Sequence, residues 1–168
     1  GTGALPAPEL DASGRVRSLY MIDFPPGYDI THGGEVGCTN FVAYHGTIVV
    51  DGLAVPYGVH PDCGLTFGQV TTAHTHELVE AITDPDTGLA LGSSRPMAWR
   101  ATAEDGGAKE ISDLCEGFGV GLVGGYKVAK NWSNFAGGCV VEVPVCDGEL
   151  ESPACRPCSA YDSGFACS

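Results

Sequence analysis

The sequence predicts an α+β fold: a small mixed or antiparallel sheet, one helix with a candidate metal site, and a disulfide-rich C-terminal tail. Three observations lead there. Short runs of β-branched and aromatic residues, closed by Gly, Pro or Asp turns, occur before residue 60 and again after residue 125. A single long segment of helical character, Phe67 to Ile82, lies between them. Four of the eight cysteines fall after residue 145, among Asp, Gly, Pro and Ser, where little apolar material exists to build a core.

In chain order, residues 1–14 mix Gly, Pro and Ala without periodicity and read as an N-terminal arm. The main domain spans 15–145. Its first strand is Arg15 to Phe24, stopped by Pro25-Pro26-Gly27. Phe41 to Val50 is a second strand, and Asp51-Gly52 turns it into Leu53 to Val59. The helix ends at Thr83-Asp84-Pro85 because proline cannot continue it. Residues 83–108 read as loop, with a short ordered patch around Trp99. Glu110 to Cys115 supplies one or two helical turns, and Gly124-Gly125 turns the chain into a strand from Tyr126 to Trp132. Val140 to Val145 is a short strand or extended exit. Residues 146–168 form the Cys-rich tail, whose Cys155-Arg-Pro-Cys158 lacks a second C-x-x-C and reads as structural.

The charge of −13 at neutral pH argues against nucleic acid or anionic membranes as partners. No apolar run approaches the roughly 18 to 20 residues that span a bilayer, so membrane insertion is not expected. Eight cysteines at irregular spacings, with 25 glycines and 11 prolines, point to a secreted, disulfide-bonded protein.

The helix carries His76-Glu77-x-x-Glu80, the metal-hydrolase pattern H-E-x-x-H with glutamate for the second histidine. Residues four apart lie about 40° from each other around a helix, so His76 and Glu80 can share a cation. Glu77 beside them is placed to accept a proton from water at that cation. The competing reading is an ordinary amphipathic helix. Leu78, Val79 and Ile82 would then face the core, and His76, Glu77 and Glu80 would face solvent.

A catalytic zinc needs a third protein ligand, and Glu110 and Asp113 are the candidates. Thermolysin-like zinc peptidases take a glutamate from a later helix, with an aspartate four residues on that supports a ligating histidine. The spacing here is one residue shorter. Glu110 as ligand and Asp113 as its supporting carboxylate is the preferred order, and the exchanged order stays open. Replacing histidine by glutamate hardens the site, so calcium or manganese are possible beside zinc. His74 points about 160° away from His76 on the helix and is discounted as a ligand. His60 remains an alternative, and His32 lies in a Gly-rich, exposed loop.

Over roughly residues 19 to 143 the order of motifs resembles the plant EXORDIUM (phosphate-induced) proteins and related secreted bacterial proteins. The motifs are Cys38-Thr-Asn-Phe-Val-Ala-Tyr-His45, Tyr57-Gly-Val-His-Pro-Asp-Cys63, the His76-Glu-Leu-Val-Glu-Ala-Ile-Thr-Asp-Pro85 helix, Glu110-Ile-Ser-Asp-Leu-Cys115, and Tyr126 to Trp132 before Cys139. The family's Trp-Tyr after Asp-Pro is missing, with only Trp99 to correspond, and the tail after Cys146 falls outside the match. The resemblance implies an extracellular, zincin-like protein. It adds His45 as a candidate site residue, either a fourth ligand or a donor in the transition state. It also implies disulfides Cys38–Cys63 and Cys115–Cys139.

The function expected is therefore that of a secreted zincin-like metallohydrolase, a metallopeptidase acting on peptide or protein substrates. Glu77 would be its base and the strand from Leu53 to Val59 would offer an edge to the substrate. The alternative is a catalytically inactive extracellular structural, cell-surface or self-assembling protein with a structural metal.

Overall fold

The structure is a computed structural model that describes residues 5–85, 101–102, 108–134 and 136–141. Trp99, the exit beyond Val141 and the whole Cys-rich tail lie outside the described residues. What is described is mixed α+β: small sheets around one long helix.

The largest sheet contains β1 (Tyr20–Phe24), β4 (Tyr44–Val50) and β5 (Leu53–Pro61) in the order β1-β5-β4. β4 and β5 form the hairpin that Asp51-Gly52 predicts. Both turn residues have positive φ, 50° and 80°, as the tight turn between right-twisted strands demands. β1 runs parallel to β5 on its other side. β5 is therefore the central strand, and β1 occupies its edge from Tyr57 to Pro61, the part of the suggested substrate edge that includes Val59. Among the described residues β4 is an edge strand of this sheet. The β2 (Thr31–His32) and β3 (Glu35–Val36) ribbon lies in the loop between β1 and β4, where exposed His32 stacks on Tyr44.

Register decides which side chains share a face. His45 pairs with Gly58, and Asp23 pairs with His60. Paired residues point the same way, as do alternate residues along a strand. His45, Gly58, His60, Met21 and Asp23 therefore line one face. Gly58 leaves room there, because a Cβ at 58 would lie 2.9 Å from the Met21 sulfur and 3.3 Å from His60 Nε2 and would make Met21 shift.

Helix α1 (Phe67–Thr83) covers this face. It opens at Thr66, whose N–H donates to the Gln69 side-chain oxygen at 3.0 Å. It closes where the Asp84 N–H reaches the Glu80 carbonyl, just before Pro85. The helix does not follow ordinary amphipathic logic. Leu78 and Ile82 are 38% and 66% exposed, whereas Glu77 and Glu80 are 7% and 3% exposed. The expectation that Leu78 and Ile82 face the core is thus overturned. Among the described residues the buried set has seven polar members, Thr47, His60, Glu77, Glu80, Asp84, Ser112 and Ser133. Beside buried Gly46, Gly58 and Pro61, it has six apolar members, Ala43, Val55, Val59, Ala81, Cys115 and Ala129, none of them large. The interior between sheet and helix is polar.

The remaining elements brace the helix from the other side. Two short strands, β6 (Ala101–Thr102) and β7 (Ala108–Lys109), lead into a single 3-10 turn at Asp113–Cys115. Strands β8 (Val120–Val123) and β9 (Tyr126–Ala129) form a hairpin through Gly124-Gly125, both at positive φ. β9 packs on α1: the Thr71 hydroxyl donates to the Lys127 carbonyl at 2.7 Å, and the Ala129 N–H donates to Thr75 Oγ1 at 2.9 Å. The strand expected from Tyr126 to Trp132 breaks at Lys130. It resumes as β10 (Asn131–Ser133), which pairs with β11 (Gly138–Val140) instead.

Both disulfides that the family resemblance implies are formed, Cys38–Cys63 and Cys115–Cys139. The first ties the approach to β4 to the approach to α1. The second ties the 3-10 turn to β11. No helix among the described residues is long and apolar enough to cross a membrane.

Candidate metal centre

Six side chains singled out from the sequence converge between β4, α1 and the segment around the 3-10 turn. α1 contributes His76, Glu77 and Glu80. β4 contributes His45, and the chain entering the 3-10 turn contributes Glu110 and Asp113. His76 Nε2 lies 3.1 Å from Glu80 Oε2 and 3.3 Å from Asp113 Oδ1. His45 Nδ1 lies 3.1 Å from Glu77 Oε2 and 3.7 Å from Glu80 Oε2, while its Nε2 lies 3.3 Å from Glu110 Oε1.

Two overlapping groups can each hold a metal ion, His76–Glu80–Asp113 and His45–Glu80–Glu110, and they share Glu80. Ligands about 2.0 to 2.2 Å from a tetrahedral cation are separated from each other by about 3.3 to 3.6 Å. The 3.1 and 3.3 Å spacings about His76 Nε2 come close to that edge, and at His45 the 3.3 Å spacing is from Nε2 and the 3.7 Å spacing from Nδ1. By contrast, the plain contact of His74 Nε2 with Asp23 Oδ1 is 2.7 Å. The geometry separates the two third-ligand candidates. Asp113 closes on His76, the ligand of the helix motif, and Glu110 closes on His45.

The local chain explains this divergence. Asp113 Oδ2 accepts the Glu110 N–H at 3.2 Å, which folds the segment into a tight turn. The two carboxylates then leave it in different directions. Glu80 locks the turn in place, its Oε1 accepting the N–H groups of Ser112 and Asp113, both at 3.1 Å. Ser112 is 1% exposed, and its hydroxyl donates to Asn131 Oδ1 at 2.7 Å and approaches the His76 carbonyl. Asn131 begins an Asn-Trp-Ser sequon, but its amide oxygen is engaged in this bracket. Nothing in the sequence marked Ser112, because its decisive donor is a backbone N–H that any residue but proline offers.

Burial and charge oppose each other throughout the cluster. For His45, burial favours the neutral ring, yet the Glu110 and Glu77 carboxylates more than offset it and raise the pKa to about 10. For His76, burial is again outweighed, here by Asp113 and Glu80, with the same result of about 10. Burial pushes Glu80 upward against the pull of His76. The His76 contact holds Asp113 below the usual carboxylate range. Without metal, the imidazoles are therefore cations that partly neutralise the carboxylates. A divalent ion at either group would displace such a proton.

The donor set fits a metal. It is oxygen-rich with two imidazoles, suited to zinc or manganese, and calcium would use the carboxylates alone. His45 Nε2 is buried and makes no hydrogen bond, since Glu110 stands 3.3 Å away without hydrogen-bond geometry. The alternative ligands stand apart. His74 lies between two acceptors, with its Nδ1 2.9 Å from the Val70 carbonyl and its Nε2 2.7 Å from Asp23 Oδ1, and His60 stacks on His74 with centroids 3.8 Å apart. Neither belongs to a metal-capable group among the described residues.

A cleft of about 680 Å³ opens onto part of this cluster. His76, Glu77 and Asp113 line it, with Phe41 to Ala43 ahead of β4 on one side and Lys127, Lys130 and Glu116 elsewhere on its wall. In comparison with known proteins, the chain matches no protein-family model, no curated protein and no solved structure.

Proposed function

We propose that the chain is a secreted, zincin-like metallohydrolase that cleaves peptides or proteins in the cleft, with His76, Glu80 and Asp113 as metal ligands and Glu77 as general base. The observation that carries this reading is the inverted helix: two glutamates 7% and 3% exposed, while Leu78 and Ile82 face outward. Burying two carboxylates costs several kcal/mol each unless cations compensate. An amphipathic surface helix has no reason to bear that cost. The two disulfides and the resemblance of the motif order to the EXORDIUM proteins support an extracellular setting.

A divalent ion at His76–Glu80–Asp113 supplies Lewis acidity and makes water a nucleophile near neutral pH. The residues of the chain do the rest. His76 and Asp113 are 22% and 35% exposed, so this group faces the cleft and leaves an open position, as catalytic sites do. Glu77 on the cleft floor takes the proton from the attacking water and delivers it to the leaving amine. The outer edge of β4, with Phe41 to Ala43 ahead of it, pairs with an extended substrate.

The experiment is Glu77→Gln. Hydrolysis of a casein or mixed-peptide substrate is expected to fall by about 10²- to 10⁴-fold while metal content stays the same. Unchanged hydrolysis in this variant refutes the assigned role. One observation favours a second reading, a structural metal in a non-catalytic extracellular protein. Glu77 Oε2 is engaged by His45 Nδ1 at 3.1 Å, which ties up the proposed base. A parent chain that binds metal but cleaves no substrate would establish that reading.

A further inference from the structure

We propose that the chain binds a second divalent cation at His45, Glu80 and Glu110, behind the cleft-facing ion, with Glu80 bridging the two. The first ion rests on the reading given above, whereas the second is carried by its own residues. Those residues are the buried half of the cluster: the His45, Glu80 and Glu110 side chains are 4%, 3% and 14% exposed. None of the three lines the cleft.

Three observations point to an ion there. The first is His45 itself, whose side chain is 4% exposed and whose Nε2 faces Glu110 Oε1 at 3.3 Å without a well-formed hydrogen bond. A buried ring nitrogen so placed is open to a ligand. The second is the reach of the donors. His45, Glu80 and Glu110 each offer an atom within 4.8 Å of the others, and so do His76, Glu80 and Asp113. The third is the posture of Glu80. Two backbone N–H groups fix its Oε1, and this aims Oε2 between His76 Nε2 at 3.1 Å and the His45 ring, whose Nδ1 is 3.7 Å away. A carboxylate so held is built to be shared. Two-metal sites bridged this way keep their ions about 3.5 to 4 Å apart.

Charge supports the same count. The cluster holds four carboxylates, Glu77, Glu80, Glu110 and Asp113, and two histidines that must be neutral to act as ligands. One divalent ion at His76, with His45 still protonated, would leave an excess of one negative charge. Two divalent ions remove it. Glu77 then acquires a positioning role beside its catalytic one, because its bond to His45 Nδ1 fixes the ring so that Nε2 faces the buried site. With one imidazole and two carboxylates the buried site suits manganese or zinc.

The test is metal stoichiometry on the whole chain, stripped with chelator and titrated with Mn²⁺ and separately with Zn²⁺. Calorimetry and elemental mass spectrometry give the count. About two ions per chain are expected in the parent, and about one in each of Glu110→Gln, His45→Gln and Asp113→Asn. The Mn²⁺-loaded parent is expected to show an exchange-coupled pair by electron paramagnetic resonance. Because that spectrum and the parent count need no variant, they decide the matter even where a variant fails to fold. One ion in the parent, lost in Asp113→Asn but kept in Glu110→Gln and His45→Gln, overturns the second site and leaves the hydrolase reading intact. One ion lost in all three variants means a single ion shared by the whole cluster, and also overturns it. No bound ion in the parent sinks both proposals.

Discussion

His60 offers a sharp test of how the polar interior is balanced. The residue is 5% exposed, both ring nitrogens lack hydrogen-bond partners, and its ring stacks on His74. Burial, reinforced by the nearby His74, lowers its pKa from 6.5 to about 4, against the opposing pull of Asp23 and Glu77. Its folded-state pKa thus lies below its unfolded value. The unfolded chain binds the extra proton first, and stability is lost as pH falls from about 6.5 through about 4. Linkage makes the loss about 2 kcal/mol at pH 5 and about 3 kcal/mol at pH 4. His60→Leu, of similar volume, abolishes this loss. At pH 7 the substitution also removes the penalty of unsatisfied nitrogens, about 1 to 3 kcal/mol, and forfeits the ring stack, about 0.5 to 1.5 kcal/mol. A neutral to modestly stabilising effect follows at that pH. Urea unfolding of metal-free parent and variant at pH 7, 5 and 4 measures both quantities. The difference between the two proteins is expected to grow by about 3 kcal/mol from pH 7 to pH 4. Parallel curves for parent and variant across this range would refute the assignment of a buried, neutral His60.

Three further outcomes follow from the site. His45 and His76 have folded-state pKa values raised to about 10, so what their protonation contributes is fully present below about pH 6.5 and lost as pH rises through about 10. Calorimetry in chelator is expected to show the melting temperature falling between pH 7 and pH 10, and saturating zinc should flatten that decline. Replacing Cys115 and Cys139 together by alanine opens a loop with a sequence separation of 24, worth about 3 to 4 kcal/mol by the chain-entropy relation. Because that bridge anchors the turn bearing Asp113, metal affinity measured by calorimetry should fall as well. Ser112→Ala removes the hydroxyl that satisfies Asn131 and is expected to cost about 1 to 2 kcal/mol in urea unfolding, with a smaller loss of zinc affinity.

The sequence by itself determined the local elements and the identity of the candidate residues that the fold brings together. The helix from Phe67, its stop before Pro85 and the Asp51-Gly52 hairpin depend on residues a few positions apart, where backbone sterics and turn chemistry act directly. The spacing of His76 and Glu80 likewise fixed their shared side of the helix. Only the tertiary structure decided what that side faces. Helical periodicity reports that Leu78 and Ile82 lie apart from Glu77 and Glu80, but not which set is turned inward. Here β4 brings a compensating imidazole and the 3-10 turn N–H donors to the acidic side, so the carboxylates are buried and the leucine is left outside. The same is true of Glu110 and Asp113. Their three-residue spacing suits a common helical face, yet a tight turn pinned by Glu80 and by Cys115–Cys139 sends one to His45 and the other to His76. These partners are more than thirty residues apart in sequence. Their meeting is set by strand register and disulfide closure, which depend on the whole fold rather than on any local pattern.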